Sequence, residues 1–315
     1  MPATPAESAI WLAYAWVPIV LWAAMAQTAR NVAQRSLVAQ AGTLGATLAR
    51  FMYGLPFAAV WVAVLHALPA TAAPIPGFHV GYFGWLALGA VSQLAATAFL
   101  LLAMKQRNFV VGVAYSKTDA LQVAVFATLF LHELPGPIAL LAMGLATAGV
   151  VLLSLPRKAS AVEADGMRAW AGLAAVYGLA SGAGFALSAV GYRGAALQMP
   201  DTSPWLIGGW GVLWAQALQT LLLGGWLLWR ARGALRAIIT AWRVSVVAGS
   251  AGALASIGWF TAFALTSAAN VRTLGMVEVV FSYLVSHRLL REKLMPAERA
   301  GLLLVLVGVA ALLLS

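Results

Sequence analysis

Two carboxylates stand inside long apolar stretches of this sequence, Asp119 and Glu278. If the chain around them is helical, Tyr115 and Gln122 share one helix face with Asp119. By the same spacing, Ser282 shares a face with Glu278. An ionisable side chain inside a membrane-spanning segment normally faces a partner or a water-filled cavity, where it binds substrates or relays protons. We therefore predict that the two polar faces contact a substrate amine or carry a proton.

The same charges allow a structural alternative. Two basic residues also lie within the apolar stretches, Arg50 and Lys117, so four intramembrane charges sum to zero. Lys117 and Asp119 are two positions apart and point to different sides of one helix, which makes them poor partners. Arg50 could line a cavity, pair with an acid or reach the cytoplasmic surface through its long side chain. An internal ion pair and a cavity site both remain open.

The two acids mark an internal repeat. They lie 159 positions apart, and at the same offset Glu133 corresponds to Glu292. Residues 109–154 therefore look like a first copy of residues 268–313. Glu133 and Glu292 fall at the ends of apolar stretches, where a solvated ion pair is the expected role. Repeated intramembrane carboxylates are typical of a site shared by two halves of a transporter.

Composition indicates an all-α integral membrane protein. The chain has 315 residues, of which 63% are hydrophobic and only 9% charged, and its mean hydropathy is +0.90. No soluble domain of this size buries so much apolar surface with so little charge outside. A membrane-spanning helix needs about 20 mostly apolar residues. Ten such segments are predicted, at residues 9–29, 43–66, 80–104, 109–131, 137–155, 169–190, 205–229, 244–267, 270–290 and 296–315.

Charge asymmetry predicts the orientation. Of nineteen Lys and Arg residues, fifteen fall in odd-numbered connections, beginning with Arg30 and Arg35. Only Arg193 and Arg272 fall in even-numbered connections. Because basic residues concentrate on the cytoplasmic side, we expect a multi-pass protein of the inner (cytoplasmic) membrane with both termini outside. The net charge of +10 is then a feature of the membrane surface and does not indicate a nucleic-acid partner. Residues 230–243 have the spacing of a short helix on that surface.

Five spans in each copy is an odd number, so the second copy enters the membrane in the opposite orientation. We predict two inverted five-helix repeats, residues 1–155 and 169–315, joined by a cytoplasmic linker at 156–168. The start of the chain lacks the basic residues of a signal peptide, and its first apolar stretch is expected to remain as a span.

Aromatic and small residues add weaker candidates. Trp210, Trp214 and Trp259 are predicted to lie within spans, where they could stack on a cationic or planar substrate or simply pack against neighbours. Gly178 and Gly182 form a GxxxG pattern, which is typical of close helix packing.

Several chemistries have no signature in the sequence. No nucleotide-binding GxxxxGK[ST] loop is present. The four histidines lack metal-ligand spacing and there is no cysteine, so no metal or other cofactor is expected. An enzyme would need a nucleophile and base or a metal cluster, and an intramembrane enzyme is therefore the weaker alternative.

The chain resembles the EamA-like, ten-helix members of the drug/metabolite transporter superfamily along nearly its whole length. The resemblance is most specific in the repeated end of each half, where an acid in the fourth helix precedes a second acid and a Gly-rich fifth helix. The residues that carry it are Asp119, Glu133 and Gly149, then Glu278, Glu292, Gly301 and Gly308, together with Arg50 in an Arg-Phe pair. Ala120 and Val279 depart from the family, which often has proline there. The resemblance implies a secondary carrier, usually an exporter, of amino acids or other small metabolites.

We therefore predict a secondary active transporter, not an enzyme, for a small amine-bearing metabolite such as an amino acid or an organic cation. Transport is expected to proceed by alternating access, with proton coupling as one option. A lipid flippase is the alternative function. The expected partners are the small solute and the lipid bilayer, and the oligomeric state is open, a monomer included. The predicted substrate or proton site comprises Glu278, Asp119, Tyr115, Gln122, Arg50, Ser282, Trp210, Trp214 and Trp259.

Overall fold

The computed structural model describes residues 14–104, 115–153, 172–281, 284 and 296–314, and every regular element within these ranges is a helix. A short helical segment at 277–281 has no label of its own. The labelled helices are α1 (Trp16–Met52), α2 (Leu55–Ala67), α3 (Val80–Met104), α4 (Asp119–Leu131), α5 (Pro137–Leu153), α6 (Leu173–Leu197), α7 (Pro204–Arg230), α8 (Arg232–Thr240), α9 (Trp242–Leu265), α10 (Ala268–Gly275) and α11 (Pro296–Leu313).

Helix length and apolarity confirm the membrane class. Within the described residues, five helical stretches are long and apolar enough to cross a bilayer. They are Ser36–Ala67, Val80–Ala103, Ala175–Leu197, Pro204–Arg230 and Trp242–Leu265. Three shorter apolar helices lie in further predicted spans, Asp119–Leu131, Pro137–Leu153 and Arg299–Leu313. The protein is thus an all-helical membrane protein.

The first predicted connection has a different structure from the one expected. Helix α1 continues through Arg30 and Arg35, and its backbone leaves helical geometry only at Gly42, with φ 66° and ψ 174°. Glycine reaches this left-handed region without a side-chain clash. Between Pro18, in the first turn of α1, and Gly42 the helix contains no glycine and no proline, so nothing in the backbone stops it earlier. Arg30 is consequently buried, with 8% of its surface exposed.

The second predicted span is interrupted between α1 and α2. Tyr53 and Gly54 form a turn, and Pro56 lies in the first turn of α2. Proline removes a backbone donor and cannot continue a helix without distortion, which accounts for the break. A Cβ on Gly54 would lie 3.0 Å from Gln216 Oε1 and 3.1 Å from the carbonyl oxygen of Gly249. The break is therefore packed closely against α7 and α9.

The chain forms two compact units. Unit 1 comprises residues 1–90 and 191–267, and unit 2 comprises residues 91–190 and 268–315. Each unit combines segments from before and after the predicted linker at 156–168, which lies outside the described residues.

Unit 1 is built around the packing of α9 against α1, where a Cβ on Gly258 would lie 2.8 Å from the Cβ of Ala23. Helix α7 packs on α2 and on α9. The short α8 confirms the helix predicted within 230–243, and its Ile238 is fully buried.

Unit 2 is built around the packing of α5 against α11. A Cβ on Gly149 would lie 2.6 Å from the carbonyl oxygen of Gly301, so both glycines are needed for this approach. Helices α3 and α6 meet where the Ser181 hydroxyl donates to the Ala96 carbonyl at 2.9 Å. Helix α10 packs on α4.

Candidate functional site

Each predicted intramembrane acid lies directly after a break in its helix. Asp119 is the first residue of α4 and follows a turn at 117–118. Glu278 lies in the segment 277–281, which follows a turn at Met276. At the 159-residue offset the two breaks coincide. The free N–H groups at a helix start favour negative charge, and transporters build substrate and ion sites from such discontinuous helices. The sequence predicted the acids but not the breaks.

Side chains of the fourth predicted span hold the first break. The Thr118 hydroxyl donates to the Tyr115 carbonyl oxygen at 2.7 Å. The Gln122 amide nitrogen donates in turn to the Thr118 hydroxyl oxygen at 2.8 Å. Thr118, which the sequence did not single out, thus links the Tyr115 backbone before the break to the Gln122 side chain after it.

Arg272 is the partner of Asp119. Its Nη2 donates to Asp119 Oδ2 in an ion pair between α10 and α4, and Asp119 is only 6% exposed. Arg272 also interacts electrostatically with Glu278. The sequence reading considered Arg50 and Lys117 as partners and counted Arg272 among the external connections. The available signal was its position six residues before Glu278, inside the predicted ninth span.

The ion pair with Arg272 stabilises the buried charge of Asp119. Burying a lone charge is costly, and removing one partner of a buried pair costs about 3–5 kcal/mol. Asp119 therefore contributes to joining α4 and α10. Glu278 is more accessible than Asp119. With all three groups ionised, Asp119, Arg272 and Glu278 carry one net negative charge.

A groove of about 540 Å³ lies beside the first break in unit 2. The groove is open and shallow, and its lining is mostly apolar. Its lining comes from α4, the residues just before it, and α6: Tyr115, Thr118, Leu121, Gln122, Val125, Leu179, Ala180 and Ala183. Two of the predicted site residues are among them. Gly182 lets α6 lie close to α4 beside the groove, because a Cβ there would lie 2.8 Å from Gln122 Nε2. Ser282 lies outside the described residues.

The two neighbouring tryptophans of unit 1 pack with aromatic side chains. Trp210 and Trp214 are stacked with ring centroids 6.2 Å apart, and Phe78 lies 5.2 Å from Trp210 and 6.0 Å from Trp214. The Trp210 indole N–H donates to His66 Nε2 at 3.1 Å. These contacts are of the kind expected for aromatic packing, and Trp214 keeps 36% of its surface exposed.

The remaining two candidates belong to a polar region of unit 1. The Trp259 indole N–H donates to Gln27 Oε1 at 3.0 Å. Gln27 lies one helical turn before Arg30, so both share a face of α1. Arg50 lies in the last turn of α1, with its guanidinium carbon 4.3 Å from the centre of the Phe51 ring.

Buried amides from α7 extend this polar region, and the sequence reading did not include them. Gln219 donates to the Tyr192 hydroxyl at 3.2 Å and to the Ala90 carbonyl at 3.4 Å. Gln216 is 2% exposed, and among the described residues neither atom of its amide has a hydrogen-bond partner. A glutamine at helical spacing from a second one was the available signal.

The contacts of Arg193 indicate a structural role. Its Nη1 donates to the carbonyl oxygens of Phe263 and Ala264 at 2.8 and 3.4 Å. These carbonyls belong to the last turn of α9, where a positive charge is favourable. Within the described residues, no three His, Asp or Glu side chains cluster as metal ligands.

Comparison with known proteins shows the fold. A protein of known crystal structure superposes with a TM-score of 0.65 and 15% sequence identity, over 95% of this chain and 98% of that one. At this identity the likeness concerns the fold alone. No family model and no curated protein matches the sequence.

Proposed function

We propose that the protein is a secondary active transporter for a small amine-bearing metabolite, an amino acid or an organic cation. One observation carries the proposal: a carboxylate follows a helix break at equivalent positions of the two halves, Asp119 and Glu278. A protein that serves only as a membrane anchor has no evident need of broken helices with charged residues at the break. Transporters use such helices to bind solutes and ions at the midplane.

Helix pairing supports two inverted repeats of five helices. In unit 1, α1 packs on α9 and α2 on α7, and in unit 2, α4 packs on α10 and α5 on α11. The α3–α6 contact through Ser181 completes the set. Numbered by predicted span, these pairs are 1–8, 2–7, 4–9, 5–10 and 3–6. Replacing each span by its counterpart in the other half, five spans earlier or later, gives the same five pairs. Inverted repeats supply two related conformations, as alternating access requires.

The net negative charge of Asp119, Arg272 and Glu278 supports an amine on the substrate. Glu278 is the residue proposed to meet the amine or to carry a coupled proton, because Asp119 is held by Arg272. The groove beside the first break brings Tyr115, Thr118 and Gln122 to one surface of unit 2.

Family and orientation are part of the same proposal. The carboxylates at the breaks coincide with the residues that carry the resemblance to EamA-like transporters. The basic residues Arg230, Arg232 and Arg243 are exposed around α8, in keeping with a cytoplasmic surface. We propose the cytoplasmic membrane, with both termini outside and export as the direction.

Glu278→Gln tests the proposal directly. Glutamine keeps the shape and hydrogen bonding of glutamate and removes its charge. We expect flux of labelled L-amino acids or primary amines into proteoliposomes to fall at least tenfold, with little change in melting temperature. Asp201→Asn is the matched control, because Asp201 is an exposed carboxylate outside the spans. Undiminished flux in Glu278→Gln, or no flux of any panel solute in the unmodified protein, would contradict the proposal.

A further inference from the structure

We propose that unit 1 contains an oxyanion-binding subsite formed by Arg30 and Arg50, which binds a carboxylate or phosphate group of the transported solute. As a statement about cargo this inference rests on the proposed transport function; the binding itself does not. It narrows the solute from organic cations to molecules that carry an anionic group.

The two arginine side chains converge on one residue of α9. A Cβ on Gly252 would lie 2.8 Å from Arg50 Cγ and 3.4 Å from Arg30 Cδ. The aliphatic parts of both side chains therefore run across the bare backbone of this glycine. The two guanidinium groups are close enough for their charges to repel each other.

The pair lies far from the turn that ends the first part of α1. At about 1.5 Å per residue, Arg30 is roughly 18 Å before Gly42 and Arg50 roughly 12 Å after it. Both arginines therefore lie well away from this turn, one on each arm of α1.

Within its described residues, unit 1 supplies no buried carboxylate for Arg50. In its described residues Asp201 is the single acidic residue, and it is exposed in the turn between α6 and α7. Arg30 donates through Nε and Nη2 to the neutral Asn31 Oδ1, at 3.2 and 2.7 Å. The Arg50 Nε is buried and has no hydrogen-bond partner among the described residues.

Neutral polar groups near the pair are also poised to bind. The unpartnered Gln216 amide lies beside Gly54, one turn after Arg50. Tyr192, which accepts a hydrogen bond from Gln219, lies near Arg50. Buried donors without partners next to two like charges are the arrangement that a bound oxyanion would satisfy, since guanidinium groups hold carboxylate and phosphate through paired N–H donors.

Arg193 shows why the pair is singled out. Among the described residues of unit 1 it is a further part-buried arginine, and backbone carbonyls of α9 accept from its Nη1. By contrast, the Nε of Arg50 has no hydrogen-bond acceptor among the described residues.

Ligand binding to purified protein tests the inference without any flux measurement. The probes are L-amino acids, their decarboxylated amines, their deaminated carboxylates, and inorganic phosphate, each scored by the rise in melting temperature. We expect at least one amino acid or carboxylate, or phosphate, to stabilise the protein, and its matched amine to do so at least tenfold more weakly. The carboxylate and phosphate arms distinguish the two sources of the oxyanion.

Three variants localise the effect. Arg50→Gln should weaken binding of the stabilising probe at least tenfold. Arg50→Lys should weaken that binding less, because lysine keeps the charge and loses the paired donors. Arg243→Gln removes an exposed charge from the same unit and should leave binding unchanged. If Arg50→Gln does not fold, Gln216→Leu replaces it, with the same expected loss of affinity.

Three results would overturn the inference: no oxyanion binding at millimolar concentration, amines that bind as tightly as their parent amino acids, or unchanged affinity in the Arg50 and Gln216 variants. Absence of transport in proteoliposomes would refute the proposed function and leave a positive binding result standing.

Discussion

Unit 1 and unit 2 both place charge within apolar helices, and they satisfy it differently. In unit 2 the Asp119 carboxylate meets the guanidinium of Arg272. In unit 1 Arg30 and Arg50 lie side by side over Gly252, and the described residues of that unit supply no buried acid. A paired charge stabilises the packing of two helices. Two like charges oppose such packing, and the oxyanion proposed above would offset their repulsion.

The contrast concerns buried hydrogen-bond donors as much as charge. Arg193, a further part-buried arginine of unit 1, donates to the carbonyls that end α9 and thus resembles the structural case. Arg50 and Gln216 keep buried polar atoms without partners among the described residues. Unsatisfied buried groups are rare in proteins, and each calls for an explanation.

The largest effect should come from breaking the unit 2 pair on one side. Arg272→Gln leaves the Asp119 carboxylate buried without its cation, and we expect a loss of about 3–5 kcal/mol of stability. Thermal unfolding in detergent measures it. The double variant Asp119→Asn with Arg272→Gln should recover most of the loss, because neither charge remains. If the single variant melts with the unmodified protein, the pair does not join α4 to α10.

A smaller loss should follow from filling the space beneath the unit 1 arginines. Gly252→Leu places a bulky side chain where even a Cβ would lie 2.8 Å from Arg50 Cγ. Overpacking of this kind costs about 1–3 kcal/mol, and it should also separate the two guanidinium groups and weaken oxyanion binding. Gly225→Leu is the control, since Gly225 on α7 has open space around its Cβ position. Equal melting temperatures for the two variants would contradict the convergence on Gly252.

The smallest effect should have the opposite sign. Arg50→Gln removes a charge repelled by Arg30. In the absence of ligand, we expect the melting temperature to stay the same or to rise, by no more than the equivalent of about 1 kcal/mol, by analogy with the replacement of buried charges by neutral groups. The same Arg-to-Gln change would then destabilise unit 2 and not unit 1. A large loss of stability would mean that Arg50 has a structural partner.

Some residues stand out in the sequence because their own chemistry is unusual in an apolar helix. Asp119 and Glu278 were predicted as exceptional because a carboxylate in an apolar helix is costly wherever it packs. It failed for Arg30, which was assigned to a connection because charges normally end a span. The helix continues to Gly42, where the backbone, not the charge, ends it. Tyr115 and Gln122 were placed on a common face by spacing alone, and both line the groove.

The amino-acid sequence by itself determined a helical membrane protein, the repeated positions of its acids and a helix face that reaches the groove. These follow from hydropathy and helical periodicity, which are local properties. Tertiary structure alone decided which charges meet. Asp119 and Arg272 are 153 residues apart, and the two arginines of unit 1 come together only because α1 turns back at Gly42 and packs on α9 at Gly252. Pairing depends on which helix faces pack together, and no local pattern encodes that choice.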